Sequence, residues 1–140
     1  MKKKKMRYIF GKRLDCGNKS SINVFEFNMP SIARVLDGIN FFVNVKGQVP
    51  INTFIDSGKF NFYVNNELVI ESGSLQAFSL VYITSANSQN NLEDPYKPTP
   101  RPLSGYDQIR VEFFDCPWNI GKLNIDGANI HINIHYQPKQ

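Results

Sequence analysis

The sequence of residues 128–136 is Ala-Asn-Ile-His-Ile-Asn-Ile-His-Tyr, and this stretch decides the fold class of the chain. Every second side chain is apolar, so one face of an extended segment carries Ile130, Ile132, Ile134 and Tyr136. The opposite face carries His131, Asn133 and His135. A period of two residues is that of a β-strand with one buried face. Because Asp126-Gly127 precedes the run and favours a two-residue turn, residues 122–136 predict a β-hairpin.

The same period of two recurs along most of the chain, most cleanly in residues 39–45. A second hairpin is predicted at Asn65-Asn66, because Asn tolerates the positive φ that a type I′ turn requires. The other predicted strands are residues 21–28, 51–55, 60–64, 67–71, 75–84 and 109–114. Short connections favour antiparallel pairing. About eight such strands predict an all-β, antiparallel β-sandwich with jelly-roll or Greek-key connections.

One short helix is predicted near residues 31–36, between the turn residues Pro30-Ser31 and Gly38. The length of 140 residues fits a single domain. No run approaches the roughly 18–20 apolar residues of a membrane-spanning helix, and no apolar stretch of an export signal follows the basic start. We therefore expect no membrane contact. Cys16 and Cys116 are expected to stay reduced in a cytoplasmic product, with a single disulfide between them as the alternative.

Residues 1–13 are predicted to form a basic N-terminal arm, followed by a domain over residues 14–140. The arm holds seven basic residues and no acidic one, whereas the rest of the chain holds nine basic and twelve acidic residues. This asymmetry indicates nucleic acid or an acidic protein surface as partner, although a lysine-rich start is also typical of a solvated tail. Because Tyr8, Ile9 and Phe10 interrupt the charges, we expect the arm to dock on a partner and to act in assembly, not in folding.

Residues 85–107 are predicted to form a long Pro-rich loop, in which Pro95, Pro98, Pro100 and Pro102 favour an extended backbone. Loops of this length are uncommon and are often functional. We expect residues 87–104 to contact another molecule and not the domain's own core. The candidate partner-binding residues of the arm and the loop are Lys2, Lys3, Lys4, Lys5, Arg7, Tyr8, Phe10, Lys12, Arg13, Tyr96, Lys97 and Arg101.

No pattern of a common active site or metal site occurs in the sequence. His131 and His135 are four residues apart on one predicted strand, about 13 Å, which is too far to bind one metal ion directly. Cys116 has no basic neighbour in sequence that would lower its pKa. Phosphate-binding loops and nucleophile elbows are absent. We expect no enzyme activity, no metal and no cofactor, and we expect Trp118 to be a plug on the core.

A compact sandwich with a basic arm before it and a Pro-rich loop projecting from it resembles small β-sandwich proteins of virus particles, especially head or tail components of bacterial viruses. The resemblance spans residues 21–136. It implies a capsid-associated or auxiliary structural protein of a bacteriophage, located in the virion and made in the host cytoplasm. Such a protein would bind other virion proteins and itself, and its arm would reach nucleic acid or an acidic protein surface. The alternatives are a carbohydrate-binding β-sandwich module, then a nucleic-acid-binding β-barrel that uses the arm as its electrostatic grip.

Overall fold

The computed structural model describes residues 8–17, 21–47, 58–83, 88–90, 100–120 and 125–139, and within them the chain forms ten β-strands and one short helix. In chain order the strands are β1 (Tyr8–Gly17), β2 (Ile22–Asn28), β3 (Ala33–Gly47), β4 (Lys59–Val64), β5 (Glu67–Ser74), β6 (Ser79–Ile83), β7 (Ser88–Asn90), β8 (Arg101–Pro102), β9 (Gln108–Phe114) and β10 (Ile125–Pro138). The helix, α1, is Pro117–Ile120.

The strands are arranged in two sheets. Sheet A has the order β1-β10-β3-β6-β7, with the two-residue β8 also beside β3, and sheet B has the order β2-β9-β4-β5. When the short β7 and β8 are set aside, each sheet has four strands. The chain changes sheet at most connections and its first strand lies beside its last, as in a jelly roll. All pairs are antiparallel except β3 with β6, so the predicted all-β sandwich of about eight mainly antiparallel strands is confirmed.

The core lies between the sheets and is built largely from phenylalanine and isoleucine. The ring of Phe41 in sheet A contacts Phe60 and Phe113 of sheet B edge-on, with ring centroids 4.8 and 5.7 Å apart. Ile130, Ile132 and Ile134 of β10 are fully buried, as the alternation predicts. Trp118 of α1 is also fully buried, and its indole N–H donates to the side-chain oxygen of Asn23 at 2.9 Å. The prediction that Trp118 plugs the core is confirmed.

The helix predicted near residues 31–36 is wrong, because β3 begins at Ala33. Two register shifts against β10 each add one residue to β3, so that Asp37 and Arg34 have no opposite residue. The buried residues Ala33, Leu36 and Ile39 are therefore three apart. A β-bulge gives this spacing in a strand, and it imitates the apolar spacing of a helix.

The two predicted hairpins have different outcomes. Asn65 and Asn66 have φ of 51° and 66° and join β4 to β5, as predicted for a type I′ turn. Asp126-Gly127 is not a hairpin turn, because β10 continues through it. Gly127, with φ of 148°, lies at a register shift between β10 and β3, and a Cβ there would collide with the carbonyl oxygen of Cys16. Glycine thus serves a bulge and not a turn.

The predicted boundary at residue 13 does not match the sheet, because β1 starts at Tyr8. All ten residues of β1 pair with β10 in an unbroken antiparallel ladder, from Tyr8 opposite Tyr136 to Gly17 opposite Gly127. Residues 8–13 are therefore part of the sandwich and not a separate arm. Residues 1–7 lie outside the described residues.

The predicted loop over residues 85–107 also differs from the structure, because it contains β7 and β8. Leu103, just after β8, is buried and its backbone N–H donates to the carbonyl of Arg34 at 2.7 Å. The expectation that residues 87–104 avoid the domain's own core is therefore wrong for Leu103. In the predicted strand 75–84, residues 75–78 form a turn before β6. The predicted strand 51–55 lies outside the described residues.

Candidate partner-binding interface

Four of the predicted partner-binding residues lie together on one strand. Tyr8, Phe10, Lys12 and Arg13 belong to β1, which is an edge strand of sheet A. Arg101 lies apart from them on β8. The remaining predicted residues, Lys2, Lys3, Lys4, Lys5, Arg7, Tyr96 and Lys97, lie outside the described residues. β1 therefore carries four of the five predicted partner-binding residues that lie within the described residues.

One side of β1 faces the core of the sandwich. Leu14 and Cys16 are buried on this side, and Phe10 packs against the core with its ring centroid 6.0 Å from that of Phe27 on β2. Tyr8 meets Tyr136 edge-on at 5.7 Å. Burial raises the pKa of the Cys16 thiol to about 12, so this cysteine is an unreactive thiol at neutral pH. Of the predicted partner-binding residues, Phe10 therefore contributes to the core of the sandwich.

The other side of β1 is solvent-exposed and charged. Arg13 and Asp15 are two residues apart on it, with Nε and Oδ1 3.5 Å apart and about two thirds of each side chain exposed. The amide of Asn129 on β10, in the orientation that satisfies both neighbours, accepts from Arg13 at 3.1 Å and donates to Asp15. This contact holds the two charges in place while leaving them open to solvent.

The edge strands β1 and β2 lie on the same side of the sandwich. Among the described residues β1 pairs only with β10 and β2 only with β9, so each has one unpaired backbone edge. The start of β1 is next to the end of β2 through Phe10 and Phe27, and Asn23 of β2 donates to the carbonyl of Gly17 at 3.4 Å. We call this side, formed by residues 8–17 and 22–28, the β1–β2 edge.

Exposed apolar side chains are concentrated at the β1–β2 edge. Eight large apolar side chains are exposed among the described residues, and four of them are Tyr8, Ile9, Ile22 and Val24 of these two strands. A fifth, Ile120, ends α1, which is joined to β2 by the Trp118–Asn23 hydrogen bond. These side chains lie toward the two ends of the edge, with Tyr8 and Ile9 at the start of β1 and Ile22, Val24 and Ile120 near its end.

Arg101 is engaged within its own domain. Its Nη2 donates to Oε2 of Glu67 at 2.5 Å, which joins β8 to the start of β5. The ion pair is partly exposed, so it contributes little to stability. The geometry gives Arg101 a role in holding this end of the sandwich and does not bring it to the β1–β2 edge.

Residues 104–107 form a turn that presents the side chain of Tyr106 at the end of the sandwich where Arg101 lies. The sequence did not predict this turn. Asp107 is buried and accepts hydrogen bonds from the backbone of Ser104 and Gly105 and from the side chain of Asn65. Burial alone would raise the pKa of Asp107, but these hydrogen bonds outweigh it and hold the pKa below its ordinary value. The turn holds Tyr106 at φ of 55° with 76% of its surface exposed.

The two histidines of β10 have different environments. His131 is exposed on the outer face of sheet A, as expected, whereas His135 is 7% exposed and belongs to the buried part of the same strand. Within the described part of the chain, no group of three or more His, Cys, Asp and Glu side chains is placed to hold a metal ion. Cys16 and Cys116 are both buried and do not form a disulfide.

None of the described helices is long and apolar enough to cross a membrane. The chain matches no protein-family model and no curated protein sequence. The functional interpretation therefore depends on the residues of the sandwich and on its charge distribution.

Proposed function

We propose that this chain is a structural protein of a virus particle, a capsid-associated or auxiliary protein of a bacteriophage, that acts by protein–protein assembly. The observation that carries the proposal is the β1–β2 edge. It combines two edge strands, each paired on one side only within the described residues, with exposed apolar side chains, which are features by which sheets extend from one chain to the next.

The position of the positive charges supports the same proposal. Five basic residues lie within residues 1–7, immediately before β1 begins at Tyr8. Assembly through the β1–β2 edge would therefore bring the basic residues of several copies close to one another. Repeated positive segments bind nucleic acid or an acidic protein surface by releasing counterions. Jelly rolls are used by viral capsid and lectin domains, which is an analogy at the level of the fold.

The proposal is tested with the purified full chain by native mass measurement and electron microscopy at rising protein concentration. We expect oligomers that grow into regular rings, tubes or shells, alone or with nucleic acid. A chain that stays monomeric at every concentration and binds polysaccharides would contradict the proposal and favour the carbohydrate-binding alternative.

The basic residues are tested separately from the edge. Replacing Lys2, Lys3, Lys4, Lys5 and Arg7 by alanine should abolish salt-dependent co-sedimentation with nucleic acid, because five charges no longer release counterions. The melting temperature should not change. A matched variant with arginine at all five positions keeps the charge and should retain binding. Equal binding by the alanine and arginine variants would show that these residues are a solvated tail.

A further inference from the structure

The outer edge of β1 has the properties of a self-complementary pairing surface. We propose that β1 pairs antiparallel with β1 of a second copy of this chain, in the register centred on Leu14. This inference rests on the proposed function, because it specifies the contact through which the chain would assemble.

The backbone of β1 is regular enough to accept another strand. Its ten residues, Tyr8–Gly17, pair with β10 without a register shift, and none of them is proline. Bulges, prolines and charged side chains are the usual means of preventing a further strand from adding to an edge. β1 has neither bulge nor proline, and its charges Arg13 and Asp15 are of opposite sign, so the N–H and C=O groups that no described strand pairs form a continuous ladder for a second strand.

The charges of β1 favour the register centred on Leu14 over its two neighbours. In an antiparallel pair related by a twofold axis, directly opposite residues share a face of the sheet, so one strand can slide along the other only by two residues at a time. Each such slide moves the twofold axis from one residue of β1 to the next. The register centred on Leu14 places Arg13 of each copy opposite Asp15 of the other. A register centred on Arg13 or Asp15 would place that residue opposite its own copy, and like charges in this position repel.

The apolar residues agree with antiparallel pairing. Tyr8 and Ile9 lie at the start of β1, whereas Ile22 and Ile120 lie near its end, where Asn23 contacts Gly17. A twofold axis through Leu14 brings the start of β1 in one copy next to its end in the other. Tyr8 and Ile9 of each copy then lie close to the end of β1 in the other copy, and partial burial of their apolar surface favours association.

A pair of charge-reversal variants tests the register. Arg13→Asp makes both charges of the outer face negative, and Asp15→Arg makes both positive. Each variant alone should weaken the dimer about tenfold or more, because two attractive contacts become repulsive. An equimolar mixture should restore dimers, now composed of one copy of each variant, because every opposite pair again has unlike charges. Sedimentation and native mass measurement distinguish these species.

Two matched controls separate this contact from general effects of charge and hydrophobicity. Lys59→Asp changes the net charge as Arg13→Asp does, but at an exposed position of β4, and should leave the dimer unchanged. Ile9→Lys on β1 should weaken the dimer, whereas Leu68→Lys, at an exposed position of β5, should not.

The proposed register is overturned if the wild-type chain forms dimers that neither charge reversal weakens, or if the mixture of the two variants contains no mixed dimers. Larger assemblies in that case would leave the proposed structural function standing, with a different contact. Mixed dimers that never grow into larger assemblies would support the register and contradict the structural function. A wild-type chain that is monomeric at all concentrations contradicts both.

Discussion

The two edges of sheet B differ in how they are closed to further strands. β2 pairs with β9 over seven consecutive residues without a shift. β5, at the opposite edge, pairs with β4 through two register shifts and carries Glu67 and Glu71. Both edges carry exposed acidic side chains, Glu26 on β2 and Glu67 and Glu71 on β5, but only the edge at β5 also has the bulges by which natural sheets avoid edge-to-edge pairing.

The same contrast extends to sheet A, because β1 lies beside β2 and is equally regular. At β5 the bulge residue Ser72 has φ of 51°, and its N–H is taken up by the side chain of Asn61 at 2.8 Å. The described strands of the β1–β2 edge are thus regular, whereas the β5 edge is bulged, and we expect a further strand to pair at the β1–β2 edge and not at β5. The following predictions test this difference.

The largest effect is expected from shortening β1. Deleting residues 1–13 removes six residue pairs with β10 and uncovers Ile132 and Ile134. We expect a loss of about 5 kcal/mol or more of unfolding free energy, a large share of the ~5–15 kcal/mol typical of a domain. Deleting residues 1–7 alone should leave the unfolding free energy nearly unchanged. Urea unfolding of both proteins measures the effect, and equal stability would show that β1 is dispensable for folding.

The next effect compares leucines at the two edges. Leu14→Ala on β1 removes a side chain that is 2% exposed and should lower the unfolding free energy by about 2–5 kcal/mol. Leu68→Ala on β5 removes one that is 41% exposed and should change the free energy by about 0.5 kcal/mol or less. Chemical denaturation of the two variants provides the comparison. A similar loss at both positions would contradict the assignment of β1 to the core.

Periodicity predicted the sandwich, the buried face of β10 and the turn at Asn65-Asn66, because these features depend on residues close in sequence. It failed where distant strands alter the local pattern. The bulges at Arg34 and Asp37 exist only because β3 pairs with β10, and they gave a strand the apolar spacing of a helix. Asp126-Gly127 is compatible with a turn and with a bulge, and only the close approach of Cys16 decides between them.

The candidate interface was predictable only in part. The charges and aromatic residues at the start of the chain indicated a partner, but the sequence could not show that Tyr8 begins a paired strand. Residues 21–28 were predicted as a strand, but the exposure of Ile22 and Val24 follows from which side of β2 faces the core, and that depends on the pairing of β2 with β9. Tyr106 had no sequence signal, because its exposure depends on the hydrogen bonds that Asp107 accepts from distant Asn65.

A smaller loss of stability is expected at the hairpin of β4 and β5. Asp107 holds this hairpin in place by accepting a hydrogen bond from Asn65 in its turn. Asp107→Asn should lower the unfolding free energy by about 1.5–3 kcal/mol at neutral pH, which is the net contribution of a hydrogen bond to a charged group. Because the folded pKa of Asp107 lies below the unfolded value of about 3.9, its stabilisation is complete above that pH and is lost as the pH falls through the folded pKa.

The measurement is the unfolding free energy of the wild type and of Asp107→Asn across a pH series. The difference between the two proteins should be largest at neutral pH and should narrow below about pH 4. A difference that is independent of pH would contradict the assigned role of the Asp107 carboxylate.

The smallest effect is expected from glycine substitutions at the two edges, which should change the unfolding free energy in opposite directions. Ser72 in the β5 bulge has φ of 51°, which costs a residue with a Cβ roughly 1–2 kcal/mol relative to an ordinary backbone conformation. Ser72→Gly relieves this strain and keeps the N–H that donates to Asn61, but it gives the unfolded chain more freedom, so a gain of at most about 1 kcal/mol remains. Lys12 of β1 is also exposed but has no positive φ. Lys12→Gly has only the entropic cost and should lower the unfolding free energy by about 0.5–1 kcal/mol.

Thermal melts at a concentration where the chain is monomeric compare the two variants. A loss at both positions would mean that the bulge at Ser72 is no more strained than the regular strand β1.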